Sequence, residues 1–357
     1  MRNPTVNTNF ISTWGDILII GGLSILAFIA FLIFGDYISA FDMFSFAIIM
    51  ALFINGPHFL LSYLLFYRLA RRRIFREIPL FFVAFIIPLL VLFLWGGEGV
   101  FAKTSYLVGA LYAMFFLVGW HYVRQGFGIL MVYAANDRKF FSVQERRIIK
   151  WSLYMLWLGS FVNIFSDGGV IKEFWGLKYA VPEIPLVLPK VFGVLAVVSF
   201  LPITGVFLYR YKRGIKDNAN GLMGVYVQYL WLLPAHRHQQ YLANIPLFHS
   251  LQYLLFAGNV ANNYEKLHHA DSATKNALLY WWGTAFLLAA LGFEIVPKFL
   301  DNAIGAPLGL EMPHFYLVGF ILLINIHHYF IDAVLWRREL GLVRPYLKPR
   351  ADKTSER

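Results

Sequence analysis

The sequence predicts an all-α fold: a polytopic membrane bundle of about ten transmembrane helices with both termini cytoplasmic. Three observations carry that prediction. Of 357 residues, 59% are hydrophobic and only 14% are charged, whereas a soluble domain carries roughly 25% charged residues. The apolar residues gather into ten runs separated by polar or charged loops. The lysines and arginines alternate from loop to loop, as the bias toward basic cytoplasmic loops requires.

The runs lie at 17–35, 43–66, 78–96, 106–131, 148–166, 191–209, 222–234, 245–264, 276–296 and 313–336. Nine are long enough to cross a bilayer, which takes about 20 residues in a helix. The seventh is short and meets Pro234, and it either ends there or continues, kinked, through Tyr241. With the N-terminus inside, the cytoplasmic segments hold 24 of the 31 basic residues and the outer loops hold six, while Arg124 lies within the fourth run. A wrong number of spans would scramble this alternation from the error onward.

No Gly/Ser linker divides the chain, so 1–336 reads as a single transmembrane domain. The segment 337–357 reads as a basic cytoplasmic tail, expected to be poorly ordered. The leader has one basic residue and no small-residue cleavage site, so no cleavable signal peptide is expected. The expected location is the membrane itself, as a multi-pass protein of a bacterial cytoplasmic membrane. The formal charge of +11 does not imply nucleic acid, because each basic loop adjoins a helix end and none forms an aromatic-interleaved platform. The expected partner is the lipid bilayer.

The chain has no cysteine. That excludes disulfides, thiolate metal sites, iron–sulfur clusters and a cysteine nucleophile. Nor does the chain contain GxSxG, Walker A, GxGxxG or HExxH, so serine hydrolase, P-loop, dinucleotide and zincin chemistries have no support.

Histidine placement is the informative feature. Five of the ten histidines, His58, His121, His249, His327 and His328, fall within apolar runs. Ionisable residues at that depth are costly and face the bundle interior or a cavity. Counted from the cytoplasmic ends at 1.5 Å per residue, His58 and His328 sit about 15 Å deep and His121 and His249 about 24 Å deep. That spread permits one shared site without requiring it. His327 and His328 point about 100° apart on a helix, so one of the two faces a given centre.

Polar side chains accompany these histidines at helical spacing: Asn55 before His58, Arg124 and Gln125 after His121, Gln252 after His249, and Asn325 and Asp332 flanking His328. They are candidates to orient the imidazoles, since a metal-bound imidazole donates its other N–H to a nearby acceptor. Asp332 suits that task for His328, or else pairs with Arg124. Gly56 and Pro57 should interrupt the helix just before His58. His236 and His238 either lie in an outer loop or, if the seventh span continues, line an outer cavity with Arg237.

Several neutral imidazoles without thiolate suit Fe, Cu, Ni or Zn better than Mg or Ca. Four histidines and an open position for O2 would make a non-haem Fe(II) oxygenase acting on an apolar, lipid-soluble small molecule. The segments GPHFLLSY at 56–63, HYVRQGFG at 121–128, HSLQY at 249–253 and HHYFIDAVLWR at 327–337 resemble the Brp/Blh group of membrane β-carotene dioxygenases. The resemblance implies an iron centre held by His58, His121, His249 and one of His327 or His328, cleaving a carotenoid or another lipid with O2. Two other classes stay open: a b-type haem electron-transfer protein with paired axial histidines, and a proton-coupled transporter using Arg124, Asp332 and the histidines as a relay.

Overall fold

The computed structural model describes residues 9–35, 37, 40–101, 105–233, 244–268, 276–305 and 312–347. Among them run ten main helical segments in chain order. They are α1 (Thr13–Phe34), α2 (Ser45–Ala70), α3 (Ile78–Gly97), α4 (Tyr106–Asn136), α5 (Val143–Asp167) and α6 (Val187–Lys212); then α7 (Ala219–Leu232) and α8 (Ile245–His268); then α9 (Ala277–Gly305) and α10 (Phe315–Leu335).

Eight of these are long and apolar enough to cross a membrane, so the protein is a multi-pass membrane bundle. The other two do not qualify among the described residues. Helix α7 is described over 14 residues, about 21 Å at 1.5 Å per residue, which by itself is less than a hydrocarbon core about 30 Å thick. Helix α8 has the length, but Ser250, Gln252, Asn259, Asn262 and Asn263 make it too polar to qualify on composition. Both chain termini, and Pro234 to Tyr241 where the seventh run was expected to end or continue, lie outside the described residues.

Burial identifies the centre of the bundle. Two-thirds of the apolar window of α10 (67%) is buried, against 17% for α1 and for α9. Helix α10 is therefore the axial helix, and α1 and α9 form part of the rim. The buried cluster around it draws Leu65 and Phe66 from α2, Ala257 and Ala261 from α8, and Ile331 and Leu335 from α10.

The expected interruption at Gly56–Pro57 takes a specific form. Helix α2 does not break; it widens into one π-turn over Ala51–Asn55, and the Gly56 N–H bonds the carbonyl of Ala51. Proline lacks an N–H and its ring collides with the carbonyl one turn earlier, and one wider turn absorbs both faults. The same device recurs at Pro88, after the π-turn Phe82–Ile86, and at Pro297, after Leu291–Ile295. In each case proline follows the last π residue by two positions. Gly56 has a second role: a Cβ there would stand 2.8 Å from the Cβ of Ala289, so glycine lets α2 and α9 close on each other.

The all-α expectation needs one amendment. Between α5 and α6 the chain forms a two-stranded antiparallel hairpin, β1 (Ile171–Phe174) and β2 (Leu177–Ala180). Trp175 and Gly176 make the turn with φ of 51° and 86°, the paired positive values of a two-residue hairpin loop that matches strand twist. Leu177 and Tyr179 are buried, and the Tyr112 hydroxyl of α4 donates to the Ala180 carbonyl at 3.1 Å.

At the opposite, arginine-rich end, one basic residue is not a solvated topology determinant. Arg210, 2% exposed, donates to both carboxylate oxygens of Asp217, to Glu145 Oε2 and to the carbonyls of Lys139 and Phe140. The start of the basic tail is likewise packed rather than loose. Leu342 and Val343 are buried, Arg73 Nη1 donates to the Leu340 carbonyl at 2.8 Å, and Asn263 Nδ2 donates to the Tyr346 carbonyl at 2.7 Å. Removing one member of a buried charge network strands the others, at a cost of about 3–5 kcal/mol. Arg210→Met should therefore lower the thermal unfolding temperature in detergent clearly, while Lys212→Met, at an exposed position two residues away, should leave it unchanged.

Candidate metal centre

Four of the five membrane histidines meet at one point. His58 on α2, His121 on α4, His249 on α8 and His328 on α10 are all buried. Their ring centroids lie 4.5 Å apart for His58–His328, 4.7 Å for His121–His249, 4.9 Å for His121–His328 and 5.1 Å for His58–His249. The expected difference in depth is absent. Helix α4, with 31 residues, is about 46 Å long and outruns the hydrocarbon core, so counting back to the next charge overstates how deep His121 sits.

His327 does not join them. Its Nε2 lies 2.9 Å from the carbonyl of Val83 on α3, and its ring packs against Tyr63. The one-residue rotation that separates neighbouring helical side chains thus assigns His328 to the centre and His327 to a helix contact.

Nitrogen lone pairs converge in the middle. His121 Nε2 is 2.9 Å from His249 Nε2 and 3.3 Å from His328 Nε2. Asp332 Oδ2 stands 3.7 Å from His121 Nε2 and 3.6 Å from His328 Nε2. Ligand atoms of His58, His121, His328 and Asp332 all lie within 4.8 Å of one another; His249, expected as a ligand, is not in that group and reaches it through its Nε2 contact with His121. Adjacent nitrogens bound at about 2.1 Å to one ion stand about 3.0–3.4 Å apart for 90–109° angles, which is the spacing found around His121.

Two serines set the tautomers. The Ser62 hydroxyl donates to the Phe59 carbonyl at 2.7 Å and lies 2.7 Å from His328 Nδ1. With its one proton on the carbonyl, Nδ1 of His328 would donate to the hydroxyl and Nε2 would keep a bare lone pair. Ser250 repeats the arrangement: its hydroxyl donates to Asn55 Oδ1 at 2.8 Å and lies 3.1 Å from His58 Nδ1. That leaves His58 Nε2 bare as well, and this atom is buried with no hydrogen-bond partner. An uncompensated buried acceptor costs on the order of 1–3 kcal/mol, and a cation would relieve it.

The polar neighbours divide by function. Asn55 acts on His58 through Ser250. Gln125 Nε2 donates to the His249 carbonyl at 3.0 Å and to Gln252 Oε1 at 2.9 Å, and Gln252 in turn donates to the Ile20 carbonyl, tying α4, α8 and α1 together. Asp332 lies at the centre rather than behind it, with its Oδ1 accepting from the Tyr253 hydroxyl at 3.0 Å. Two expected participants make other contacts. Arg124 lies over the Trp120 ring at 4.6 Å while staying within electrostatic reach of His121 and Asp332, and Asn325 bonds within its own helix to the Ile321 carbonyl and Tyr329. His236 and His238 lie outside the described residues. Ser62, Ser250 and Tyr253 were not read from the sequence, although Ser62 follows His58 by four and Ser250 adjoins His249.

A cavity of about 2050 Å³ reaches the centre, with His58, His121 and His249 in its wall. Phe59, Tyr122 and Tyr329 surround the imidazoles there, and the cavity extends away to the hairpin.

Orienting partners of metal-bound histidines are worth about 10–100-fold in metal affinity. Ser62→Ala and Ser250→Ala should each weaken metal binding by that order in a chelator-competition titration, with Ser62→Thr keeping near-parental affinity. Comparison of the chain with protein-family models, curated proteins and solved structures finds no match, so the chemistry of this centre is argued from its own geometry.

Proposed function

We propose that the buried cluster binds one Fe(II) ion and that the protein is a non-haem iron oxygenase of the membrane, acting with O2 on a lipid-soluble substrate held in the cavity. The observation that carries this reading is the convergence of buried ligand atoms from His58, His121, His328 and Asp332 within 4.8 Å of one another, with Ser250 and Ser62 against the outer nitrogens of His58 and His328.

His58, His121, His249 and His328 would hold the ion, with Asp332 Oδ2 as a fifth donor. Imidazole and carboxylate donors without thiolate, with coordination positions left free, are the set associated with non-haem Fe(II) oxygenases, in which iron supplies O2 activation. The chain does the rest. Ser62 and Ser250 keep protons on the outer nitrogens. Asp332 brings negative charge to balance the cation, and Tyr253 fixes the orientation of that carboxylate. Phe59, Tyr122 and Tyr329 wall the centre with aromatic surface, which limits water near the reacting atoms. The resemblance of the histidine segments to the Brp/Blh dioxygenases points the same way and makes a carotenoid one candidate substrate among apolar lipids.

Geometry disfavours haem b. Axial histidines bind opposite faces of a macrocycle, about 4 Å apart nitrogen to nitrogen at bond lengths near 2 Å. Here His121 Nε2 has neighbours at 2.9 and 3.3 Å, with no room for a porphyrin plane between them.

Metal analysis of the purified protein should give about one iron per chain, with no Soret band in the optical spectrum. Alanine at His58, His121, His249 or His328 should strip the iron, and His327→Ala should retain it. A strong Soret band, or full iron in all four variants, would refute this reading.

A further inference from the structure

The cavity is far larger than O2 requires, and its shape says what else it holds. Ligand pockets for drug-sized molecules measure about 300–1,000 Å³; this one measures about 2050 Å³. Leu317, Ile321, Asn325 and Tyr329 line it along one stripe of α10 at four-residue spacing. Twelve residues of helix make that stripe about 18 Å long, starting far from the centre and ending beside His328. The occupant is therefore elongated.

The two ends differ in chemistry. Near the histidines the wall is aromatic. At the hairpin end the wall carries an ion pair, Asp167 with Lys172 at 2.8 Å. That lysine is already paired, so this end offers hydrogen-bonding groups to an uncharged head more readily than a lone cation to an acid. The side wall is open to the surroundings of the bundle. Leu32 on α1 and Ile48 on α2 line the cavity yet are 58% and 47% exposed, which on helices of this apolarity means exposure toward lipid.

Building on the oxygenase reading, we propose that the substrate is a single-chain amphipathic lipid with an uncharged polar head. The head rests at the Asp167–Lys172 pair beside the hairpin, the chain lies along the α10 stripe, and the far end of the chain meets the histidines. The molecule arrives sideways from the bilayer between Leu32 and Ile48. A hydrocarbon with no head would fill the same stripe but gain nothing from that pair.

The test uses the full-length protein stripped of metal by chelator, so that it does not depend on iron. Bromine-labelled hexadecanol and bromine-labelled hexadecane are titrated separately, with quenching of tryptophan fluorescence as the readout, because Trp157 and Trp175 both line the cavity. One hydrogen-bonded head is worth up to about 1.5 kcal/mol, or about tenfold, so hexadecanol should bind about tenfold more tightly than hexadecane. The double variant Asp167→Ala/Lys172→Ala, which removes both hydrogen-bonding groups of that end, should remove the preference and leave hexadecane binding unchanged. Val118→Trp, which fills the middle of the cavity, should abolish binding of both, and Ala51→Leu serves the same end if the tryptophan variant does not fold.

Equal affinity for alcohol and alkane, or quenching that both cavity-filling variants leave intact, would overturn the proposal. Correct discrimination in a protein that never takes up iron would leave the proposal standing and sink only the iron reading. Iron binding without discrimination would do the reverse.

Discussion

Everything at the centre of this protein depends on one electrostatic constraint: imidazole nitrogens and a carboxylate brought together in one buried cluster. His121 Nε2 faces the Nε2 atoms of both His249 and His328, but a single proton can bridge only one such pair. With the Ser62 proton on the Phe59 carbonyl, the His328 proton would sit on the far side of its ring. His58 Nε2 is buried without a hydrogen-bond partner. A protein interior keeps buried polar groups paired, and the cation proposed here would serve these atoms together. The serines matter as much as the histidines, since without them each ring could turn a proton toward its neighbour.

The rest of the fold serves that arrangement. Four helices from distant parts of the sequence deliver one histidine each, and α10, the most buried span, adds Asp332 one turn after His328. The π-turn before Pro57 keeps α2 continuous past a residue that would otherwise break it, holding His58 and Ser62 on one rigid element. Gln125 and Gln252 fix α4 against α8 through backbone carbonyls. The hairpin β1–β2 builds the distal end of the cavity, so the metal-binding end and the polar end belong to different structural layers.

The architecture was largely legible in the sequence. Long apolar runs and one-sided basic loops give membrane helices and their order directly, because the bilayer imposes length and polarity on each span. What escaped was local. The run 245–264 was read as a span, yet helix α8 carries too many amides to qualify as one on composition, and some of them face polar partners inside the bundle. The hairpin was hidden because four-residue strands leave little pattern. Arg210 looked like a surface charge because composition does not reveal which arginine is drawn inward by Asp217 and Glu145. In the site, histidine and aspartate positions stood out against hydrocarbon. Ser62 and Ser250 did not, since serine is common in membrane helices and its importance here rests on contacts across helices. The choice between His327 and His328 required the rotation of α10, which only packing determines.

The central claim is that several imidazoles bind one ion, and X-ray absorption at the iron edge of the Fe(II)-loaded protein tests it most directly. The account predicts a nitrogen and oxygen shell at about 2.1 Å, with the outer-shell scattering of three or four imidazole rings. A sulfur shell, a porphyrin signature, or an oxygen shell without imidazole scattering would contradict it.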